Sequence, residues 1–364
     1  MPFTRLRQLA QAADLAAVAI VPGANFRYLT GVDLHLMERP SILFVPVDGE
    51  SVVILPSLEV SKWENANLPA KVIGWRDDEG YAGAFRQASQ ALNLDGQQIG
   101  VEGLRMRVLE GQLLEDLLGA QVIDADEVFT QLRIIKSPDE IEKHREAIRI
   151  SEEALQKTLD NLKLGMTERE IATMLSQFQT DLGGGGNSFS PIVLIGARSA
   201  LPHGVPENIP LQQGDTLLID FGTVKHGYVS DITRTFFVGE PSAEYRAVYE
   251  VVLSANQTGI ATAKPRASCE AVDLATSQIL KDSDFADYIL HRTGHGLGID
   301  VHEFPNITQG DLRELEVGMV FTVEPGLYLA GKLGVRIEDN VVVTADGTEC
   351  LTSFPKELTV LNLS

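Results

Sequence analysis

Two stretches of the sequence place carboxylates where a strand should carry apolar side chains. Asp220 ends the apolar run Thr216-Leu217-Leu218-Ile219, and Asp231 follows beyond Val224-Lys225-His226-Gly227, which reads as a turn. A buried carboxylate is costly unless it is paired or binds a metal. A hairpin symmetric about Lys225-His226 puts Asp220 directly opposite Asp231, with Cβ atoms about 4.5–5.5 Å apart on one face. Like charges at that spacing repel, so the register is disfavoured without a cation between them. Glu324 and Glu338 repeat the pattern, being symmetric about Gly331 in the turn Ala330-Gly331-Lys332. Asp339 points to the other face by strand alternation.

His295 supplies a further donor, in Gly294-His295-Gly296-Leu297-Gly298, where small neighbours allow other groups to approach closely. One imidazole and four carboxylates suit hard to borderline divalent ions such as Mn²⁺, Co²⁺ or Zn²⁺. Five protein ligands exceed what one open catalytic site uses. Bridging carboxylates would let them serve two ions, ~3.5–4 Å apart in such centres, and such a pair activates water for hydrolysis. Each residue alone has a plainer reading: Asp220 as a turn former or cap, Glu338 as an ion-pair partner of Arg336, His295 as a loop histidine. Two hairpins that each bring carboxylates face to face separate the metal reading from these. No HExxH and no GxSxG is present, so thermolysin-like zinc chemistry and nucleophile-elbow chemistry lack their motifs.

The elements that must hold these residues are legible around them. Ser137-Pro138-Asp139-Glu140 is a capping box with proline at the first helical position, and it predicts a long helix over 138–162. Thr167 and Glu170 repeat the capping spacing and open a second helix, which ends before Gly183-Gly184-Gly185-Gly186. Those glycines form a flexible loop and lack the GxxxxGK[ST] or strand–GxGxxG–helix context of a phosphate cradle. Strands are predicted at 192–195, 216–222, 228–238, 320–329 and 335–344, and helices at 243–263 and 269–280. Residues 132–364 thus read as an α+β domain with two similar halves, each with helices followed by a carboxylate-bearing hairpin. Residues 1–131 alternate helix (5–13, 59–66, 81–92, 108–118) with strand (16–21, 41–47, 51–55, 71–75, 98–102), a smaller mixed α/β domain.

The whole chain, 364 residues, suits two domains. With 30 Lys+Arg against 51 Asp+Glu, the net charge of −21 argues against binding nucleic acid through phosphates and against an anionic membrane surface. Two cysteines, Cys269 and Cys350, make no disulfide framework. The first apolar stretch is interrupted by Asp14, unlike a signal peptide, and no apolar run approaches the ~20 residues of a membrane span. The expectation is a soluble, cytoplasmic protein.

At LLIDFGTVKHGYVSDITRTFFVG, HRTGHGLGIDVHEFP, FTVEPGLY and GVRIEDN, with ALPHGVP upstream, the chain resembles the creatinase/methionine aminopeptidase superfamily, and within it the Xaa-Pro peptidases of the prolidase type. The NFRYLTG segment is similar to that family's extra amino-terminal domain. The resemblance implies a pita-bread fold and two divalent metal ions per subunit, manganese first, with cobalt or zinc as the other choices. It implies Asp220 on one ion, His295 and Glu324 on the other, and Asp231 and Glu338 bridging. It places His203, His302 and Arg336 at substrate-facing positions. The implied reaction is hydrolysis of the bond before proline in Xaa-Pro dipeptides. Glu324 would pass the water's proton to the tertiary proline nitrogen, and His203 or His302 would meet the carbonyl oxygen. Arg336 shares a strand face with Glu338 and would orient carboxylates or bind the substrate's own.

One branch of the family grips the dipeptide's carboxylate with an arginine in the loop before the first glutamate ligand. Here Arg313 is the only basic residue between His302 and Glu324, and it is not at that branch's spacing; it stands as a candidate substrate-binding residue, with a solvated loop residue as its plainer reading. Arg266 stands where the family usually has glycine. Tyr228, Thr233 and Tyr328 read as supporting or packing residues, and His35, His144, His226 and His291 receive no role. The alternatives are an Xaa-Pro aminopeptidase acting on longer peptides and a non-catalytic binding protein on the same fold. The expected partner is a small peptide with proline second, and the expected assembly, by analogy of fold, is a homodimer.

Overall fold

The computed structural model describes residues 2–363. The chain divides into two compact units, Met1–Arg133 and Ile134–Ser364.

The first unit runs α1 (Pro2–Ala12), β1 (Ala17–Ile20), α2 (Ala24–Thr30), β2 (Ile42–Pro46), β3 (Ser51–Pro56), α3 (Ser57–Ala66), β4 (Ala70–Trp75), α4 (Ala82–Leu92), β5 (Gln98–Val101), α5 (Val108–Leu118), β6 (Gln121–Asp124) and α6 (Asp126–Arg133). Its six-stranded sheet has the order β4-β3-β2-β1-β5-β6, with β2 antiparallel to both neighbours and the other pairs parallel. Alternation sorts the central strands onto two faces. Val18, Ile20, Leu43, Val45, Val53 and Leu55 pack with Leu6, Phe26, Trp63 and Phe129 from one set of helices. Ala17, Ala19, Ile42, Phe44, Val52 and Ile54 pack with Phe85, Ala88, Leu114 and Leu118 from α4 and α5. Both faces are covered, so these strands are continuously apolar in sequence. Helices α2 and α6 and strand β6 were not expected from the sequence.

The second unit opens with α7 (Pro138–Asp160) and α8 (Glu168–Asp181), each with its capping box formed as predicted. There follow β7 (Ile192–Ile195), β8 (Thr216–Phe221), β9 (Val224–Lys225), β10 (Tyr228–Val229), β11 (Ile232–Val238), α9 (Ala243–Thr262), α10 (Cys269–Lys281), β12 (Gly294–Gly296), β13 (Glu303–Ile307), β14 (Val320–Val323), β15 (Gly326–Leu329), β16 (Leu333–Arg336), β17 (Asp339–Thr344), β18 (Gly347–Cys350) and β19 (Thr359–Leu361). A four-stranded sheet has the order β19-β11-β8-β7, and a five-stranded sheet the order β13-β12-β14-β17-β18. The first sheet packs its apolar side against α7 and α8 through Ile148, Leu155, Ile171, Leu175, Val193, Leu217 and Ile219. Cys269 and Val272 of α10 pack with Phe321, Val323 and Val341 of the second.

One expected register is corrected. The hairpin turns at His226-Gly227, with φ of 51° and 84°, rather than at Lys225-His226. Two residues of positive φ make the two-residue turn whose twist matches the strands. Asp220 therefore lies opposite Thr233, and Asp231 is its diagonal neighbour rather than its direct partner. Gly222 accommodates the shift, since a Cβ there would stand 1.8 Å from the Ser230 carbonyl oxygen. In the second hairpin Leu329 pairs with Leu333 and Val323 with Asp339, which is the register symmetric about Gly331. Arg266 has φ 70°, a conformation that favours glycine. Among the described residues, no helix is long and apolar enough to cross a membrane.

Candidate metal centre

The long strands expected from the sequence are interrupted, and the interruptions fall at the carboxylates. Ser230 and Asp231 separate β10 from β11, Glu324 and Pro325 separate β14 from β15, and Ile337 and Glu338 separate β16 from β17. At each break the backbone bonds elsewhere. Glu324 N donates to Thr293 O at 2.7 Å, and Glu338 N donates to Thr233 O at 3.1 Å. Asp231 N donates to Asn340 Oδ1 at 3.2 Å, while Asn340 Nδ2 donates back to Asp231 O. Proline at 325 has no N–H to continue a ladder. Backbone pairing is therefore satisfied across the two sheets, and the acidic side chains turn inward between them.

The donors converge. His295 Nε2 stands 3.3 Å from Glu324 Oε1 and 3.7 Å from Asp231 Oδ2. His295 Nδ1 lies 3.0 Å from Gly296 O, so it carries the hydrogen and leaves the Nε2 lone pair facing the carboxylates. One donor atom each from Asp231, His295 and Glu338 lie within 4.8 Å of one another, and all three residues are buried. Arg336 spends its guanidinium on the same cluster. Nη2 donates to Asp220 Oδ2, Nε to Thr233 Oγ1 at 3.0 Å and Nη1 to Tyr328 OH at 2.8 Å. Thr233 Oγ1 donates to Glu338 Oε2 at 2.6 Å. Thr322 Oγ1 takes the His295 N–H at 3.1 Å and donates to Glu324 Oε1 at 3.3 Å.

These contacts leave the cluster short of positive charge. Burial, then Glu338, Asp220 and Glu324, push the Asp231 carboxyl well above its ordinary range. Burial, then Glu324 and Asp220, do the same to Glu338. Burial pushes Glu324 up to about 7 against the opposing charge of Arg336. Burial, then His302, hold the His295 imidazole neutral, down to about 3. Asp220 Oδ1 is buried and accepts no hydrogen bond. Crowded carboxylates, a neutral imidazole with its lone pair presented and an orphaned carboxylate oxygen are the donor set of a divalent cation site.

The remaining expected residues lie around it. The His302 ring is 4.0 Å from that of His295, centroid to centroid, and burial and Arg292 hold it below the ordinary histidine range. His203 is exposed in the segment before β8, and its charge reaches His302 and His291. Arg313 lies over the Phe304 ring at 5.7 Å, and its charge acts on Cys269. His291, given no role from sequence, donates from Nδ1 to Arg292 O at 2.7 Å and accepts Tyr328 OH at Nε2, at 2.6 Å. Asn340 was missed too. It lies two positions beyond Glu338, so strand alternation carried a signal for it.

Residues 142–345 match metallopeptidase family M24, and residues 3–135 match the creatinase/prolidase N-terminal domain. The chain belongs to metallopeptidase family M24. The M24 chain is 34% identical, over 95% of its length and 96% of the relative's, to an uncharacterized peptidase of Staphylococcus aureus. It is similar to the crystal structure of prolidase from Thermococcus sibiricus, with TM-score 0.94 and 34% identity over 99% of this chain and 98% of that one. It is also similar to X-Pro aminopeptidase from Thermotoga maritima, with TM-score 0.85 and 31% identity over 98% and 99%. The second unit is the M24 pita-bread domain, and the first is the creatinase-type domain that precedes it. M24 enzymes use divalent metal, and this one is a metallopeptidase.

Proposed function

We propose that this M24 enzyme hydrolyses the bond before proline in Xaa-Pro dipeptides, at two divalent cations held by Asp220, Asp231, His295, Glu324 and Glu338. The observation that carries the reading is the convergence of Asp231, His295 and Glu338, with Glu324 beside His295 and Asp220 held by Arg336. The prolidase and Xaa-Pro dipeptidase among the similar structures support the substrate. Manganese as the metal and a homodimer as the assembly belong to the same proposal.

When bound, such cations acidify water and polarise the scissile carbonyl. The residues supply the rest. Glu324 takes a proton from the attacking water on its carboxylate and returns it to the proline nitrogen, which carries no hydrogen and must be protonated to leave. His302 and His203 donate hydrogen bonds to the developing oxyanion. Arg336, through Asp220 and Thr233, keeps the carboxylates in position.

The similarity to an X-Pro aminopeptidase keeps longer peptides as the second reading. Purified protein supplied with Mn²⁺ or Co²⁺ should cleave an Xaa-Pro dipeptide in preference to a longer Xaa-Pro peptide. Cleavage of the longer one alone assigns the aminopeptidase activity. Metal bound without cleavage of either rejects both.

A further inference from the structure

Arg292 is exposed, and its guanidinium makes no ion pair among the described residues. Nη1 donates to Asn306 Oδ1 at 2.8 Å. Asn306 is the β13 residue directly opposite His295 of β12. Directly opposed residues of an antiparallel pair project from the same face, Cβ atoms about 4.5–5.5 Å apart. The Asn306 amide thus holds the guanidinium over the face that carries the His295 imidazole. The charge acts on His291, His295, His302 and Glu324 together.

The other cations near the centre are committed. Arg336 uses Nε, Nη1 and Nη2 on Thr233, Tyr328 and Asp220. Arg198 is paired with Glu168 and Glu207. Lys136 is buried against Glu303. Arg313 lies over Phe304. A neutral amide partner fixes the Arg292 head without neutralising it, and guanidinium N–H groups remain for a planar acceptor such as a carboxylate.

We propose that Arg292, oriented by Asn306, forms a subsite for a carboxylate of the substrate. This rests on the peptidase reading of the centre. In an Xaa-Pro dipeptide the carboxylate has two sources: the C-terminus, or an acidic side chain on the residue before proline. Either source makes Arg292 a determinant of specificity.

The test uses metal-loaded wild type, Arg292→Gln and Asn306→Asp, with metal content measured on each. Binding is read by calorimetry with reduced-bond analogues of Leu-Pro, Leu-prolinamide and Glu-Pro, which cannot be hydrolysed. For a C-terminal source, Arg292→Gln weakens the Leu-Pro analogue about 10- to 100-fold, down to the level of the amide, as loss of a charged hydrogen-bonded pair does. For a side-chain source, it lowers the Glu-Pro analogue to the level of Leu-Pro and spares the Leu-Pro to amide ratio. Asn306→Asp supplies an internal carboxylate to Arg292 and produces the same loss. Unchanged analogue ratios in both variants, or a wild type that binds none of the three, overturns the proposal. An Arg292-dependent acid preference in a protein that cleaves no Xaa-Pro peptide leaves the subsite standing and rejects the dipeptidase reading.

Discussion

The Arg336 guanidinium donates to Asp220 Oδ2 and leaves Asp220 Oδ1 buried with no hydrogen-bond partner. One oxygen is held by the protein and the other is left without a donor, in a carboxylate whose charge acts on Asp231, Glu324 and Glu338. The same guanidinium holds Thr233, which holds Glu338. Arg336 thus connects two of the proposed ligands, and the planar fork is needed because its three donors leave in different directions.

Arg336→Lys should therefore disorder the centre without unfolding it. A single ammonium cannot reach Asp220, Thr233 and Tyr328 together. Loss of such an outer partner lowers metal affinity or activity about 10- to 100-fold. Metal titration followed by elemental analysis checks it, and wild-type affinity in the lysine variant would contradict the role.

Thr233→Val keeps the volume and removes the hydroxyl. Glu338 Oε2 loses its donor and Arg336 Nε its acceptor. A buried group left unsatisfied costs about 1–3 kcal/mol. Urea unfolding of the metal-free proteins should show a loss of that size, and equal midpoints would remove Thr233 from the network.

Chelation should abolish activity and expose the charge crowding of the carboxylates. Burial raises Glu324 from 4.5 to about 7, so the folded metal-free protein binds its proton more tightly than the unfolded chain. The associated stability is present below pH about 4.5 and is lost as pH rises through about 7. Thermal unfolding of chelated protein should fall between pH 5 and 7.5, and added Mn²⁺ should reverse the fall at pH 7.5. A flat profile, or no response to metal at the higher pH, is the opposing result.

The first unit contains a separate titration. Glu102 is buried, accepts Asn25 Nδ2 at 2.7 Å and Val21 N at 3.3 Å, and burial raises it to about 7. Its contribution is likewise complete below pH about 4.5 and lost through about 7, a difference of about 3 kcal/mol. Glu102→Gln cannot titrate, so the stability gap between variant and wild type should change in the variant's favour from pH 5 to pH 8. Parallel pH profiles for the two proteins would exclude Glu102 as the source.

The sequence by itself determined the ligand candidates, the two capped helices and the apolar strands. These follow from local chemistry: Ser137 and Glu140 satisfy one another's backbone groups, and Glu324 and Glu338 are related by a turn centred on Gly331. The first hairpin's register escaped because a two-residue turn at His226-Gly227 depends on positive φ at a histidine, which no spacing reveals. Tertiary structure alone decided that the strands break at Asp231, Glu324 and Glu338, because the partners that take over there, Asn340, Thr293 and Thr233, arrive from other segments of the chain. It also decided that Arg336 is spent on Asp220 while Arg292, among the described residues, donates to the neutral Asn306 amide and makes no ion pair. Charge pairing depends on distance in space, and a guanidinium finds its partner only after the sheets have met.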